Sequence, residues 1–238
     1  MNTKLLNSVA AATTLAGMMV TAGVANATSL TRTVSTEFAL TDIVNKPLTI
    51  QQFDSSLGTL NSVILNFTSH LTGEAGFENR GATASTVIVR LGAQVNLTRD
   101  PLELSPPFPI NPFSDEESYT VAAYDGTTDF GGTSGMIVEG LKAEGSATKT
   151  FTGDDLNVFI GTGNLDFLFT ALAQSTVTGG GNMRSYVDTL AKANLSLTYN
   201  YDPLTTVPEP SALLGIGLFA GIGVLSQRKK SWFKISHS

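Results

Sequence analysis

The strongest constraint on the fold is a strict alternation of apolar and polar residues between Val87 and Thr98. The apolar set is Val87, Val89, Leu91, Ala93, Val95 and Leu97, and the facing set is Arg90, Gly92, Gln94, Asn96 and Thr98, with Ile88 as the apolar exception. Successive side chains of an extended chain point to opposite faces, so this pattern predicts one half-buried antiparallel strand.

The same alternation recurs elsewhere, separated by turn-forming clusters such as "TGGGN". The further strands begin at Val63, Leu165 and Leu195, with weaker strands over 31–40, 48–53, 118–124, 136–141 and 147–151. Many short strands punctuated by turns predict an all-β, antiparallel two-sheet sandwich of jelly-roll type. Residues 185–192 are expected to hold one or two helical turns, and the Pro-rich stretch 101–112 a loop that covers a sheet edge.

Composition narrows the class of protein. Charged residues make up 14% of the chain, the formal net charge is −6, and cysteine is absent. A nucleic-acid binder needs a basic face, so we expect no nucleic-acid partner. Without disulfides, stability has to come from packing and backbone hydrogen bonds.

The N-terminus has the order of a secretory signal peptide. Lys4 precedes an apolar stretch over 9–24, and Ala25-Asn26-Ala27 follows with small residues. This pattern predicts a signal peptide over 1–27, removed by signal peptidase after Ala27, with Ala25 and Ala27 as the recognised residues. The alternative, a buried N-terminal helix, is disfavoured because the stretch has no amphipathic period.

The C-terminus carries a second pattern typical of a processing signal. Pro208-Glu209-Pro210 precedes fourteen apolar or glycine residues over 212–225, followed by Arg228, Lys229 and Lys230. As a helix this run is about 21 Å long, against roughly 30 Å of hydrocarbon in a bilayer. The basic cluster would stay in the cytoplasm, which leaves residues 28–206 on the outer side of the membrane.

This three-part order resembles the PEP-CTERM sorting signal of bacterial exported proteins, over residues 207–230. The resemblance implies that a membrane protease, an exosortase, recognises and removes the tail. The chain departs from such signals in the short polar tail "SWFKISHS" over 231–238. An ordinary tail anchor is the alternative.

Residues 28–206 carry a second resemblance. "FDSSLGTLNSVILNF", "YDGTTDFGGTSG", "DDLNVFIGTGNLDF" and "GGGNMRSYVDTLAKANLSLTYNY" are similar to the choice-of-anchor E family. That family comprises exported domains with interchangeable sorting tails and no assigned activity. The resemblance implies location and fold type, and it supplies no catalytic residue.

Catalytic patterns are sparse in the sequence. The two histidines are His70 and His237, and His70 is expected to be an exposed residue that closes the strand ending "NFTSH". Carboxylate pairs such as Asp125 with Asp129, or Asp154 with Asp155, lie in Gly-flanked segments, where aspartate commonly bonds the backbone of a turn. We therefore predict no catalytic residues.

One loop is a candidate calcium site. In "YDGTTDFGG", Asp125 and Asp129 offer carboxylates beside threonine hydroxyls and backbone carbonyls. Flexible oxygen-rich loops of this kind bind calcium in extracellular modules. The alternative is an Asp-Gly turn in which both aspartates cap backbone N–H groups.

The sequence thus favours a non-catalytic exported bacterial protein, at the cell surface or in the extracellular matrix, associated with the envelope or with exopolysaccharide. The alternative is a carbohydrate-binding, lectin-like sandwich assisted by calcium. A polysaccharide-acting hydrolase ranks third.

Overall fold

The computed structural model describes residues 17–19, 28–99 and 110–204. This part of the chain is mostly β-strand, and its strands pair antiparallel in three sheets. Contacts divide the chain into a unit Met1–Pro203, which holds the sheets, and a unit Leu204–Ser238. The expectation of an all-β, sandwich-like fold built from antiparallel sheets is confirmed.

The strands are numbered in chain order. They are β1 (Gly17–Met19), β2 (Thr28–Ser35), β3 (Ala39–Leu40), β4 (Ile43–Gln51), β5 (Gly58–Asn79), β6 (Ser85–Arg90), β7 (Ala93–Thr98), β8 (Glu117–Val121), β9 (Gly135–Phe151), β10 (Asn164–Ala173), β11 (Thr176–Thr178) and β12 (Met183–Pro203). Short 3₁₀ helices occupy Ser55–Leu57 and Gly153–Phe159.

The first layer is one large sheet with the order β1-β2-β12-β5-β9, to which β3 adds by pairing with β12. Its centre is the pair β5 and β12, which have 22 and 21 residues and run alongside each other from Gly58 opposite Pro203 to Asn79 opposite Met183. At one edge, β1, which lies within the residues predicted as signal peptide, pairs with β2. The long strands β5 and β12 set the register of the whole layer.

The second layer consists of two three-stranded sheets, β4-β10-β7 and β11-β6-β8. The alternating run from Val87 to Leu97 is therefore two strands in different sheets, and the prediction of one strand was wrong. The break lies at Gly92, whose N–H donates to Ser175 Oγ at 3.0 Å and whose carbonyl accepts from Gln174 N at 2.9 Å. All six apolar residues still face inward, so the alternation continues through the bend and conceals it.

The hydrophobic core lies between the two layers. Phe67 of β5 meets Phe169 of β10 edge-on, with ring centroids 6.2 Å apart, and Phe77 lies 5.7 Å from Tyr119 of β8. Phe53 packs against Tyr199 at 5.8 Å. All of these side chains except Tyr119 are fully buried. One continuous apolar core therefore holds together a chain that has no cysteine.

Residues 185–192 are strand, so the expected helical turns are wrong. They belong to β12 and pair residue by residue with β5, from Ser185 opposite Phe77 to Lys192 opposite His70. Ser185, which is exposed, and Thr189, which is buried, lie on the same side of the strand; both are polar and weaken the alternation in the sequence. Pairing along the neighbouring strand overrides this weak local signal.

The end of the Pro-rich stretch lies along the free edge of β7. Ile110 exchanges two backbone hydrogen bonds with Val95, at 2.9 and 3.0 Å, and Pro112 accepts one from Ala93. An edge paired in this way cannot recruit another strand. Nowhere in the described ranges is there a helix with the length and apolar character needed to cross a membrane.

Candidate functional site

The outward face of the large sheet carries an array of uncharged polar side chains, which we call the hydroxyl face. Four neighbouring strands, β2, β12, β5 and β9, bring these residues into register. Its rows are Ser29, Asn200 and Ser62; Thr31, Thr198, Ile64 and Thr150; Thr33, Ser196, Asn66 and Thr148; and Ser35, Asn194, Thr68 and Ser146. No charged residue interrupts these rows, and Ile64 is their single apolar member.

Hydrogen bonds between strands order part of the hydroxyl face. Thr31 and Thr198 share a hydroxyl–hydroxyl bond of 3.0 Å, and the Thr148 hydroxyl donates to Asn66 Oδ1 at 2.7 Å. Asn200 Nδ2 donates to Ser62 Oγ at 3.0 Å. A hydroxyl has one donor and two acceptor positions, so each of these groups keeps capacity for a further partner. The face is therefore an array of hydrogen-bond donors and acceptors that bonds between strands partly order.

A depression of about 610 Å³ adjoins the last row of the hydroxyl face. Its polar centre is the next row of the sheet, in which Lys192 of β12, His70 of β5 and Glu144 of β9 lie side by side. The row beyond adds Thr72, opposite Lys142. Phe38, from the segment between β2 and β3, completes the rim.

Contacts fix the side chains of the depression. His70 Nδ1 lies 3.1 Å from Glu144 Oε2, and both side chains reach solvent. Lys192 Nζ lies 5.8 Å from the centre of the Phe38 ring, within cation–π range, and Phe38 is 44% exposed. Two bonds between Thr36 and Ala193 tie the segment that carries Phe38 to β12. The depression thus presents two ammonium groups, a His–Glu pair and one exposed ring.

An acidic row lies beyond the depression on the same face. Asp188 and Glu74 are directly opposite each other on β12 and β5, and the Tyr186 hydroxyl donates to Glu74 Oε1 at 2.6 Å. This bond, with burial and the charges of Glu74, Asp188 and Glu139, raises the pKa of Tyr186 to about 12. The depression is therefore bounded by an acidic row on one side and by the neutral last row of the hydroxyl face on the other.

His70 does not close a strand, so this expectation was wrong. It lies in the middle of β5, which continues to Asn79 because Leu71, Ala75 and Phe77 keep facing the core. Its partner is a glutamate, and no serine or cysteine nucleophile is paired with it among the described residues.

The loop between β8 and β9 uses both predicted calcium ligands as turn caps. Asp125 Oδ1 accepts from Thr127 N at 3.0 Å, and this bond, the largest cause, lowers the pKa of Asp125. Asp129 Oδ1 accepts from Gly131 N, also at 3.0 Å. This is the arrangement that the alternative, an Asp-Gly turn, describes. The calcium site stays a prediction, which titration of calcium into wild type and an Asp125→Asn, Asp129→Asn variant would test.

The same loop is anchored by a buried carboxylate. Glu78 is fully buried and accepts hydrogen bonds from Phe130 N, at 2.9 Å, and from the Ser134 hydroxyl. Phe130 has a φ of 58°, a left-handed conformation that is strained for an aromatic residue. Its ring packs edge-on against Tyr186 at 5.1 Å. Glu78 therefore fixes the loop in place.

The remaining predicted residues divide into two groups. Asp154 and Asp155 are exposed in the first turn of the 3₁₀ helix Gly153–Phe159. In the described part of the chain, no three His, Asp or Glu side chains are grouped to hold a metal ion. The cleavage residues Ala25 and Ala27 and the sorting residues Pro208, Glu209, Pro210, Arg228, Lys229 and Lys230 lie outside the described residues.

Sequence reasoning missed the depression. Lys142, His70 and Lys192 are far apart in the chain and meet only through the registers of β5 with β9 and β12. The available signal was the outward half of each alternating strand, where Ser, Thr and Asn recur without charge in "NSVILNFTSH" and "ANLSLTYN". Reading polar as well as apolar positions would have indicated the hydroxyl face.

Comparisons with known proteins identify no family for this chain. No protein-family model and no curated protein matches the chain. Solved structures of infectious bursal disease virus match weakly: the Gx strain at 13% identity over 87% of this chain and 50% of that chain, with a TM-score of 0.13, and the Gt strain at 13% over 91% and 55%, with a TM-score of 0.12. The chain thus spans about half the length of these structures. The likeness carries no argument about fold or function.

Proposed function

We propose that this chain is an exported, exosortase-sorted, non-catalytic bacterial protein of the cell surface or extracellular matrix, associated with the envelope or with exopolysaccharide. The observation that carries the proposal is the order Pro208-Glu209-Pro210, apolar run and Arg228-Lys229-Lys230. Together with the N-terminal pattern ending at Ala27, it gives one consistent topology. A jelly-roll arrangement, flanked by a cleavable signal peptide and a hydrophobic sorting helix, belongs to the same proposal.

The character of the large sheet supports a role in binding or assembly. Its outward face carries hydroxyl and amide groups in register on four neighbouring strands. Such a face exchanges hydrogen bonds with hydroxyl-rich polymers without attracting oppositely charged proteins.

A carbohydrate-binding, lectin-like sandwich is the second candidate. It is favoured by the depression, where the exposed ring of Phe38 stands beside Lys192, Lys142 and the His70–Glu144 pair. Concave sites with a few convergent polar groups are the usual places for small ligands and sugar units. Calcium assistance stays a separate prediction at Asp125 and Asp129.

Cell fractionation with intact-mass measurement tests the proposed sorting. We expect protein from the cell surface or medium to lack residues 1–27 and the apolar tail, with exosortase and signal peptidase as the processing partners. In a strain without the exosortase, the tail should be retained and the protein should stay with the inner membrane. Full-length chain in the medium of the parent strain would contradict the proposal.

A further inference from the structure

The depression and the hydroxyl face together point to a specific class of ligand. We propose that they bind a linear acidic polysaccharide, with a uronic-acid carboxylate in the depression and the neutral part of the polymer along the hydroxyl face. The inference rests on the proposed association with exopolysaccharide and names the polymer's chemistry.

Charge complementarity selects an anionic group. Lys192 lies opposite His70 on β12, Lys142 lies one row further along on β9, and Glu144 already pairs with His70 at 3.1 Å. The chain as a whole has a net charge of −6, so an anion gains favourable electrostatics only at such a local cationic site. Ammonium groups bind carboxylates through charge-assisted hydrogen bonds.

The neighbouring rows restrict what kind of anion fits. On one side lie Asp188 and Glu74, which repel a continuous anionic surface. On the other side lie Ser35, Asn194, Thr68 and Ser146, which are neutral. A membrane or a nucleic acid presents many closely spaced charges and would need a basic face. A polymer with isolated carboxylates between hydroxyl-bearing units matches this pattern better.

The position of the depression beside the hydroxyl face gives the ligand a second set of contacts. The depression lies at the end of the hydroxyl face, so a polymer whose acid group occupies it can continue along rows of Ser, Thr and Asn. Sugar hydroxyls and these side chains are both donors and acceptors, so each can satisfy the other. Phe38 offers an exposed ring for the apolar face of a sugar at the entrance.

Calorimetric titration of the purified full-length chain with an oligosaccharide in which uronic-acid residues are separated by neutral sugars tests the inference. The comparison ligand is the same oligosaccharide after its carboxyl groups have been reduced, which leaves a neutral sugar. We expect the acidic oligosaccharide to bind and the neutral one to bind at least about tenfold more weakly. Because the lysines are near the surface, binding of the acidic form should weaken as salt rises.

A matched pair of double variants assigns the site. Lys142→Gln with Lys192→Gln should weaken binding by about tenfold or more, because both charge-assisted bonds are removed. Arg80→Gln with Arg184→Gln makes the same change in net charge at exposed positions elsewhere and should bind like wild type. Circular dichroism confirms that both variants are folded, and the salt dependence of wild type provides a test without any variant.

Several results would overturn the inference. These are equal binding of the acidic and neutral sugars, no binding of either, unchanged affinity in the lysine variant, or stronger binding to vesicles of anionic phospholipid. The proposed sorting and surface location are tested separately by fractionation, so they can stand if this inference fails.

Discussion

At the residue scale, two tyrosines bond carboxylates, one on the outward face of the large sheet and one in β8 of the second layer. Tyr186 bonds Glu74 on the neighbouring strand, and its ring supports Phe130 of the β8–β9 loop. Tyr119 bonds Glu117 within β8, and burial, the largest cause, together with that bond raises the pKa of Tyr119 to about 12. In both cases a carboxylate accepts from a phenol, which favours the protonated form of the phenol.

The first prediction concerns ionisation of Tyr186. Its pKa is raised from 10.0 to about 12, with the Glu74 bond as the largest cause, so Glu74→Gln should bring it back toward 10.0. The stability that this bond contributes is fully present below the unfolded-state pKa and is lost as pH rises through the folded-state value. The loss therefore falls between about pH 10 and about pH 12.

Tyrosine ring signals in an NMR pH titration measure this shift, with Tyr186→Phe assigning the resonance. Tyr119 is an internal control, because Glu117 and not Glu74 bonds it. If Tyr186 titrates at the same pH with and without Glu74, the interpretation of this hydrogen bond is wrong.

At the element scale, the bend between β6 and β7 decides how the second layer is divided. Gly92 bonds Ser175 and Gln174, and the ring of Phe113 lies directly over it. The Arg90 guanidinium stacks on the Phe113 ring, with its central carbon 4.5 Å from the ring centre. The bend therefore requires a residue without a side chain at position 92, because the Phe113 ring fills the space that a Cβ would occupy.

The second prediction is that Gly92→Ala destabilises the fold by about 1–3 kcal/mol, the usual cost of overpacking. An added Cβ would lie 2.0 Å from Phe113 Cδ1, so the ring has to move. Urea denaturation measures the change. Gly181→Ala is the control, because nothing lies within 4 Å of its added Cβ. Equal stability of the two variants would contradict the role given to Gly92.

The third prediction concerns the core strands. Leu91→Asp should unfold the protein, because Leu91 is fully buried and an introduced carboxylate there would be an unpaired buried charge. Asn164→Asp adds the same charge at an exposed position of β10 and should leave folding intact. Circular dichroism and size-exclusion chromatography distinguish the outcomes. A folded Leu91→Asp protein would show that the core assignment is wrong.

At the scale of the whole molecule, one core joins all three sheets, and no disulfide helps it. The long pair β5 and β12 contributes inward residues along nearly its whole length, and the second layer closes over them. A core of this extent is sufficient for a domain of this size to fold by itself.

The fourth prediction is that residues 28–206, expressed alone, fold as a β-rich monomer. The core residues that the structure describes lie between Leu30 and Tyr201, and we expect them to pack without either end. Far-ultraviolet circular dichroism and light scattering coupled to size-exclusion chromatography provide the measurement. A spectrum dominated by helix, or an aggregate in place of a monomer, would count against it.

The sequence alone determined the fold class and most of the core. Leu65, Phe67, Phe167 and Tyr199 are buried as their alternation predicts, because a period of two residues decides which face of a strand meets water. The sequence also indicated that Asp125 and Asp129 belong to turns, because aspartate near glycine commonly bonds the backbone of its own turn.

Only the tertiary structure decided where strands end, bend and pair. Alternation continues unchanged through Gly92, and it weakens at Ser185 and Thr189, so local pattern reported neither the bend nor the extent of β12. His70, Lys142 and Lys192 became neighbours because strands distant in sequence share one register. Register depends on cooperative pairing along whole strands, and no short stretch of sequence contains that information.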